Sequence, residues 1–159
     1  GGVRVTEVNI ETVKEVFGIR GALEAYAVEL ACAKIQESDI KRMREIEQQA
    51  HAILLAPAEN SNVKLQMLIE LNSSFHEVIY NSAGSHVLIQ LINNLKNNFL
   101  RLRALSMREV DTWGQVWQEH SQLIGCLERH DKKNAIRIMR DHISTAASYV
   151  LAGFQSQEY

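Results

Sequence analysis

Asn72 and His76 stand four positions apart, and His120 and His142 each fall in a later segment with its own amphipathic pattern. Four positions is one helical turn, so Asn72 and His76 share a face. Two further helices, each bringing one imidazole, could close a first-row metal site. It would have three nitrogen donors, one neutral amide oxygen and positions left open for water or a small molecule. Separate carbonyl or carboxylate partners would satisfy buried imidazoles equally well. No short motif such as HExxH decides between the two.

The three histidines differ from the rest in their register. His76 follows Phe75 and aligns with Leu65, with Leu68 or Ile69, and with Ile79. His120 lies one turn before Leu123 and Ile124, and His142 one turn after Ile138 and Met139. All three lean toward the apolar side of their helices. His51, His86 and His130 fall near helix ends or turns and read as surface or hydrogen-bonded groups.

Arg20 precedes Glu24 by four residues. It reads either as an ion pair along the helix or as a guanidinium aimed into a cavity to hold a carboxylate. Arg101 and Arg103 lie beside Asn93, Asn94, Asn97 and Asn98. A two-residue step turns a helix by about 200°, so one of the two arginines faces inward. Trp113 and Trp117 share a face and read as core or interface. Glu119 neighbours His120 but points about 100° away, so it is expected to face elsewhere. Without a placed general base, a metal-dependent hydrolase is the weaker alternative to a binding domain. A plain helical interaction module with satisfied core histidines is the third reading.

The elements that must position these residues are helical. With one proline and few glycines, and no alternating apolar–polar run, the chain predicts helices joined by short turns. A first helix from about Glu11 meets Gly18, and a longer one runs from Ile19 to Ile35. Ser38 is the expected N-cap of a helix over Asp39–Leu55, which Pro57 ends. Ser61 starts a helix to Tyr80. Gly84 then suits a C′ position and Ser85 an N-cap. Further helices are expected from His86 past Leu102, from Asp111 or Thr112 to Arg129, and from an Asp131 cap to Val150. Gly1–Val5 reads as the end of a β-strand.

Bulk composition narrows the classes. A net charge of −2 gives no basic footprint for a phosphate backbone. No apolar run approaches the roughly 18 residues that span a membrane. The two cysteines, Cys32 and Cys126, sit in apolar helical surroundings without ligand spacing. Buried free thiols in a reducing cytoplasm are the expectation.

Several stretches together resemble one family. Arg20-Gly-Ala-Leu-Glu24 with the alanines after it resembles the "R-x-x-L-E…A…A" opening of the FadR-type C-terminal (FCD) domain, the effector-sensing half of many GntR-type bacterial transcription regulators. Asn72-Ser-Ser-Phe75-His76 resembles that family's "D/N-x-x-F-H", with the small-residue turn Ser82-Ala-Gly84-Ser85 after it. Glu119-His120-Ser-Gln-Leu-Ile124 resembles "E-H-x-x-I", and Asp131 to His142 resembles "D-x-x-x-A-x-x-x-M-x-x-H". The ordered set covers nearly all of residues 11 to 150.

The resemblance implies an all-α antiparallel bundle of six to seven helices enclosing a ligand and metal cavity. Asn72, His76, His120 and His142 would hold a divalent transition metal, zinc or nickel first, manganese or iron next. Arg20 with Arg101 or Arg103 would bind a small organic acid effector. It further implies a non-enzymatic, cytoplasmic homodimer. Residues 1–8 would be the remnant of a winged helix–turn–helix domain upstream that binds operator DNA, and residues 9–159 the FCD-like domain. Many members carry aspartate where this chain has Asn72.

Overall fold

The two helices expected at the start are one. In the computed structural model, which describes residues 10–57, 61–95 and 111–155, α1 runs unbroken over Ile10–Lys34. A glycine inside a helix costs only about 1 kcal/mol. Val13 and Phe17 before Gly18, and Ala25, Ala27, Val28 and Ala31 after it, are all buried and carry the helix across. After α1 come α2 (Glu37–Leu55), α3 (Ser61–Ala83), α4 (residues 86–95), α5 (Asp111–Glu128) and α6 (Lys132–Gln155).

Helix ends follow local chemistry. α2 begins one residue before the expected Ser38 cap. The Asp39 carboxylate instead accepts from the Gln36 backbone N–H at 3.0 Å. At the end of α3, Gly84 takes φ +63°, the left-handed conformation that ends a helix most cheaply at glycine. The Lys34 ammonium donates to the Ala83 carbonyl there at 2.9 Å. Ser85 Oγ accepts from the Leu88 N–H at 3.4 Å, as its capping reading requires. α5 closes with the Asp131 N–H on the Cys126 carbonyl and His130 at φ 53°. Asp131 then caps α6 by accepting from the Asn134 N–H.

The helices pack as a ring in the order α1, α6, α5, α2, α3, with α3 returning to α1. α6 runs against α1, with Lys132 on Glu29 and Ile143 beside Gly21. α5 runs against α6, with Glu119 on His142 and Gln115 on Tyr149. α2 runs against α3, with Asp39 near Ser82 and Leu54 near Lys64. α1 and α3 depart from the antiparallel expectation and run in the same sense, joined at Glu24–His76 and Lys34–Ala83. The ring closes on an apolar core that includes Phe17, Met43, Ile46, Phe75, Ile79, Leu123, Leu127 and Met139. Trp113 and Trp117 are both fully buried in it. No described helix is long and apolar enough to cross a membrane. Cys32 and Cys126 are buried free thiols.

Candidate metal centre

Three walls of the ring each turn polar groups inward. On α3 the buried face runs through Leu68, Asn72, Phe75, His76 and Ile79, the three-and-four spacing of a helix stripe. On α5 it runs through Trp117, His120, Ile124 and Leu127, and on α6 through Ala135, Met139, His142 and Ile143. The apolar neighbours drive each face inward, and the polar residues are carried into the core with them. Asn72, His76, His120 and His142 are all buried, none more than 5% exposed.

The imidazoles converge. Ring centroids lie 5.4 Å apart for His76–His120 and for His76–His142, and 4.7 Å for His120–His142. One nitrogen from each lies within 4.8 Å of the others. Nitrogen–zinc bonds of about 2.0–2.1 Å set two donors at most about 4.2 Å apart, so small ring rotations would close this set on an ion. His76 Nε2 and Asn72 Oδ1 are buried with no hydrogen-bond partner among the described residues. Buried polar atoms are ordinarily satisfied. Two orphaned lone pairs beside three clustered imidazoles fit a bound cation.

Two glutamates stand behind the histidines. Glu24 of α1 is 1% exposed, and its carboxylate accepts from Arg20 Nε and from His76 Nδ1, both at 2.9 Å. Burial by itself would raise the Glu24 carboxyl. His76 and Arg20 outweigh burial and hold it well below the usual carboxylate range. Burial pushes His76 the other way, down to about 4, against the pull of Glu24. At neutral pH the pair is therefore a neutral imidazole donating to an ionised carboxylate. On the far side, Glu119 accepts from His142 Nδ1 at 2.7 Å. The expectation that Glu119 faces elsewhere is overturned. α5 packs against both α6 and α2, so the 100° step from His120 turns residue 119 onto α6.

His120 is oriented by aromatic rings. It stacks on Phe75 with centroids 3.9 Å apart and planes 10° from parallel, and meets Trp117 edge-on at 4.7 Å. Beside the imidazoles lies a narrow cleft of about 10 Å³ whose lining includes Arg20, Asn72, Thr112, Glu119, His142 and Tyr149.

The expected site residues divide accordingly. Asn72, His76, His120, His142 and Arg20 come to one place, whereas Arg101 and Arg103 lie outside the described residues, as does Gly1–Val5. His51 and His86 are exposed, and His130 Nδ1 bonds to the Cys32 carbonyl at 2.6 Å. Sequence reasoning missed the outward role of both glutamates. For Glu24 the signal was there, since it falls seven residues after Phe17 and seven before Ala31, in the buried register of α1.

Comparison with known proteins agrees with this architecture. The family model described as the FCD domain matches residues 15–145. The chain is 27% identical over 151 residues to the HTH-type transcriptional repressor GlaR of Escherichia coli K12, covering 91% of this chain and 66% of that protein. It is 24% identical over 149 residues to the HTH-type transcriptional repressor RspR of the same organism, covering 94% and 63%. The chain thus spans just under two-thirds of the length of these relatives. Among solved structures, the metal-free FCD domain of TM0439 superposes with a TM-score of 0.76 at 17% identity, covering 94% of this chain and 98% of that one. E. coli McbR/YncC superposes with a TM-score of 0.75 at 17% identity, covering 94% and 68%.

Proposed function

This chain belongs to the FCD domain family, and from that premise we propose that it is the effector-sensing and dimerising part of a GntR-type transcriptional regulator. It senses a small carboxylate at a metal centre formed by Asn72, His76, His120 and His142. The observation that carries this reading is the buried convergence of three imidazoles, with their nitrogens within 4.8 Å, beside the orphaned Asn72 Oδ1. An all-nitrogen and amide donor set suits a transition metal better than magnesium or calcium, with zinc or nickel first. DNA contact belongs to a part of the protein outside the matched domain, as the repressor names of the longer relatives suggest.

When bound, the ion supplies open positions that a carboxylate can fill. The chain's own residues do the rest. Arg20 reaches the same cleft as Asn72 and His142. Its guanidinium, held by Glu24 through Nε and hydrogen-bonded to Tyr80 as well, brings a positive charge to that mouth. Thr112 and Tyr149 also line that wall. An effector that binds one arrangement of the helix ring better shifts the dimer toward it. Coupling of about 1–3 kcal/mol would change operator affinity roughly 5- to 150-fold.

A metal-dependent hydrolase is the second reading, because Glu119 stands closer to the imidazoles than its sequence position suggested. Its bond to His142 Nδ1 places it as a support for that ring. Product analysis separates the two, since a sensor returns its ligand unchanged.

The deciding test is elemental analysis of protein purified without chelator or metal-affinity resin. About one transition-metal ion per chain is expected, and none in the protein with His76, His120 and His142 all replaced by alanine. A chain that takes up no ion even after added zinc or nickel would overturn the metal-centred reading.

A further inference from the structure

α1 contributes no ligand to the centre, yet it sends a buried carboxylate to one of the imidazoles. Glu24 Oε2 meets His76 Nδ1 at 2.9 Å, and Glu119 Oε2 meets His142 Nδ1 at 2.7 Å. A carboxylate oxygen only accepts, so each bond requires the proton on Nδ1. A neutral ring carries one proton. Placing it on Nδ1 leaves the lone pair on Nε2, and the Nε2 atom of His76 is the one buried without a partner. The opposite tautomer would set two acceptors against each other at under 3 Å, in a fully buried place for Glu24 and a part-buried one for Glu119.

We propose that Glu24 and Glu119 are positioning residues that hold His76 and His142 in the Nδ1–H tautomer, presenting Nε2 of both rings to the centre before any ion arrives. The inference rests on reading these imidazoles as ligands, and it adds two residues that never touch the ion. Outer carboxylates of this kind fix ring orientation and raise the basicity of the donating nitrogen. His120 needs none, because Phe75 and Trp117 fix its ring plane. The two supports differ in strength. Glu24 is sealed in and shares its charge with Arg20. Glu119 is 17% exposed and is braced by Gln115, whose amide donates to its other oxygen at 3.3 Å and whose own carbonyl accepts from the Tyr149 hydroxyl at 2.8 Å.

The test has two arms. The first is histidine-selective ¹⁵N NMR of the metal-free domain, in which His76 and His142 should each show a protonated Nδ1 and an unprotonated Nε2. An Nε2–H ring at either position overturns its assignment. This arm reads the rings without an ion, so it stands even if the metal reading fails. The second arm measures zinc by chelator competition. Glu119→Ala should weaken binding by about 10- to 100-fold. Glu119→Gln, which can still accept from Nδ1, should weaken it less. Glu24→Gln keeps one acceptor oxygen for the two donors Arg20 Nε and His76 Nδ1 and removes the charge, so it should likewise lose affinity, with the metal-free melting temperature confirming a folded chain. Zinc affinity within twofold of wild type in Glu119→Ala, where His142→Ala abolishes binding, would refute the positioning role. Absence of zinc binding in the wild type would instead refute the metal reading.

Discussion

Acid should loosen this domain through His76 in particular. Its ring is 3% exposed and its pKa is pushed down to about 4 by burial, with Glu24 pulling the other way. In the unfolded chain it titrates near about 6.5. Between those two values the unfolded state binds the extra proton, so stability falls as pH falls. The contribution is fully present above about pH 6.5 and is lost by about pH 4. At about 1.36 kcal/mol per unit, the span amounts to roughly 3 kcal/mol. For a domain of this size that is roughly 6–12 °C in melting temperature. Glu24 acts in the same direction at lower pH, since its depressed value makes its contribution disappear only in stronger acid. The assay is urea unfolding of metal-free protein at half-unit steps from pH 7 to pH 4, for wild type and His76→Gln. Surface carboxylates titrate in both proteins, so the difference between the two curves isolates His76. Parallel curves over pH 6.5 to 4.5 would refute the assignment of a buried neutral imidazole.

Three other outcomes follow from the geometry. Asn72→Asp should tighten transition-metal binding and weaken that of a carboxylate effector, because it lowers the charge of the centre by one; calorimetry of both ligands checks it, and an effector affinity that is unchanged or rises counts against the reading. Arg20→Ala leaves Glu24 1% exposed without its guanidinium, so unfolding should cost about 3–5 kcal/mol less; a loss below 1 kcal/mol in denaturant titration would show that the remaining partners, His76 and Tyr80, suffice. Gly84→Ala should destabilise by about 1–2 kcal/mol, since its φ of +63° disfavours a side chain; an unchanged melting temperature would mean that the α3–α4 turn relaxes.

The histidine-bearing faces were legible because each histidine shares a stripe with large apolar residues. Phe75 and Ile79 around His76, Ile124 and Leu127 after His120, and Met139 and Ile143 around His142 mark which side of each helix enters the core. Periodicity reports burial but is silent on what lies across the gap. Glu119 shows the limit: a 100° step from His120 is a sound local statement, but whether it points to water or to α6 depends on the ring order. The parallel course of α1 and α3 was hidden for the same reason, since it follows from the path through α2. Gly18 misled in the other direction. Its propensity cost is local and small, while the burial that carries α1 through it is shared with α3 and α6.

The charge balance of the centre ties these observations together. Three imidazoles and an amide bring no negative charge, so a divalent ion there keeps its full charge among its direct donors. Glu24 offsets Arg20 at 2.9 Å, which leaves Glu119 as the carboxylate beside the donors whose charge the adjoining cation does not already match. The sum for ion, Glu24, Arg20 and Glu119 is then about one positive charge in a buried setting where charge is costly. With aspartate at position 72 the same sum would be zero. On the proposed reading, an anionic ligand would gain more from entering this cleft than it would with aspartate at position 72, while the ion itself would be held less tightly by its direct donors. That trade would make the two carboxylates behind His76 and His142 more consequential here, since oriented and more basic imidazoles would be what remains to retain an ion with no anion bound.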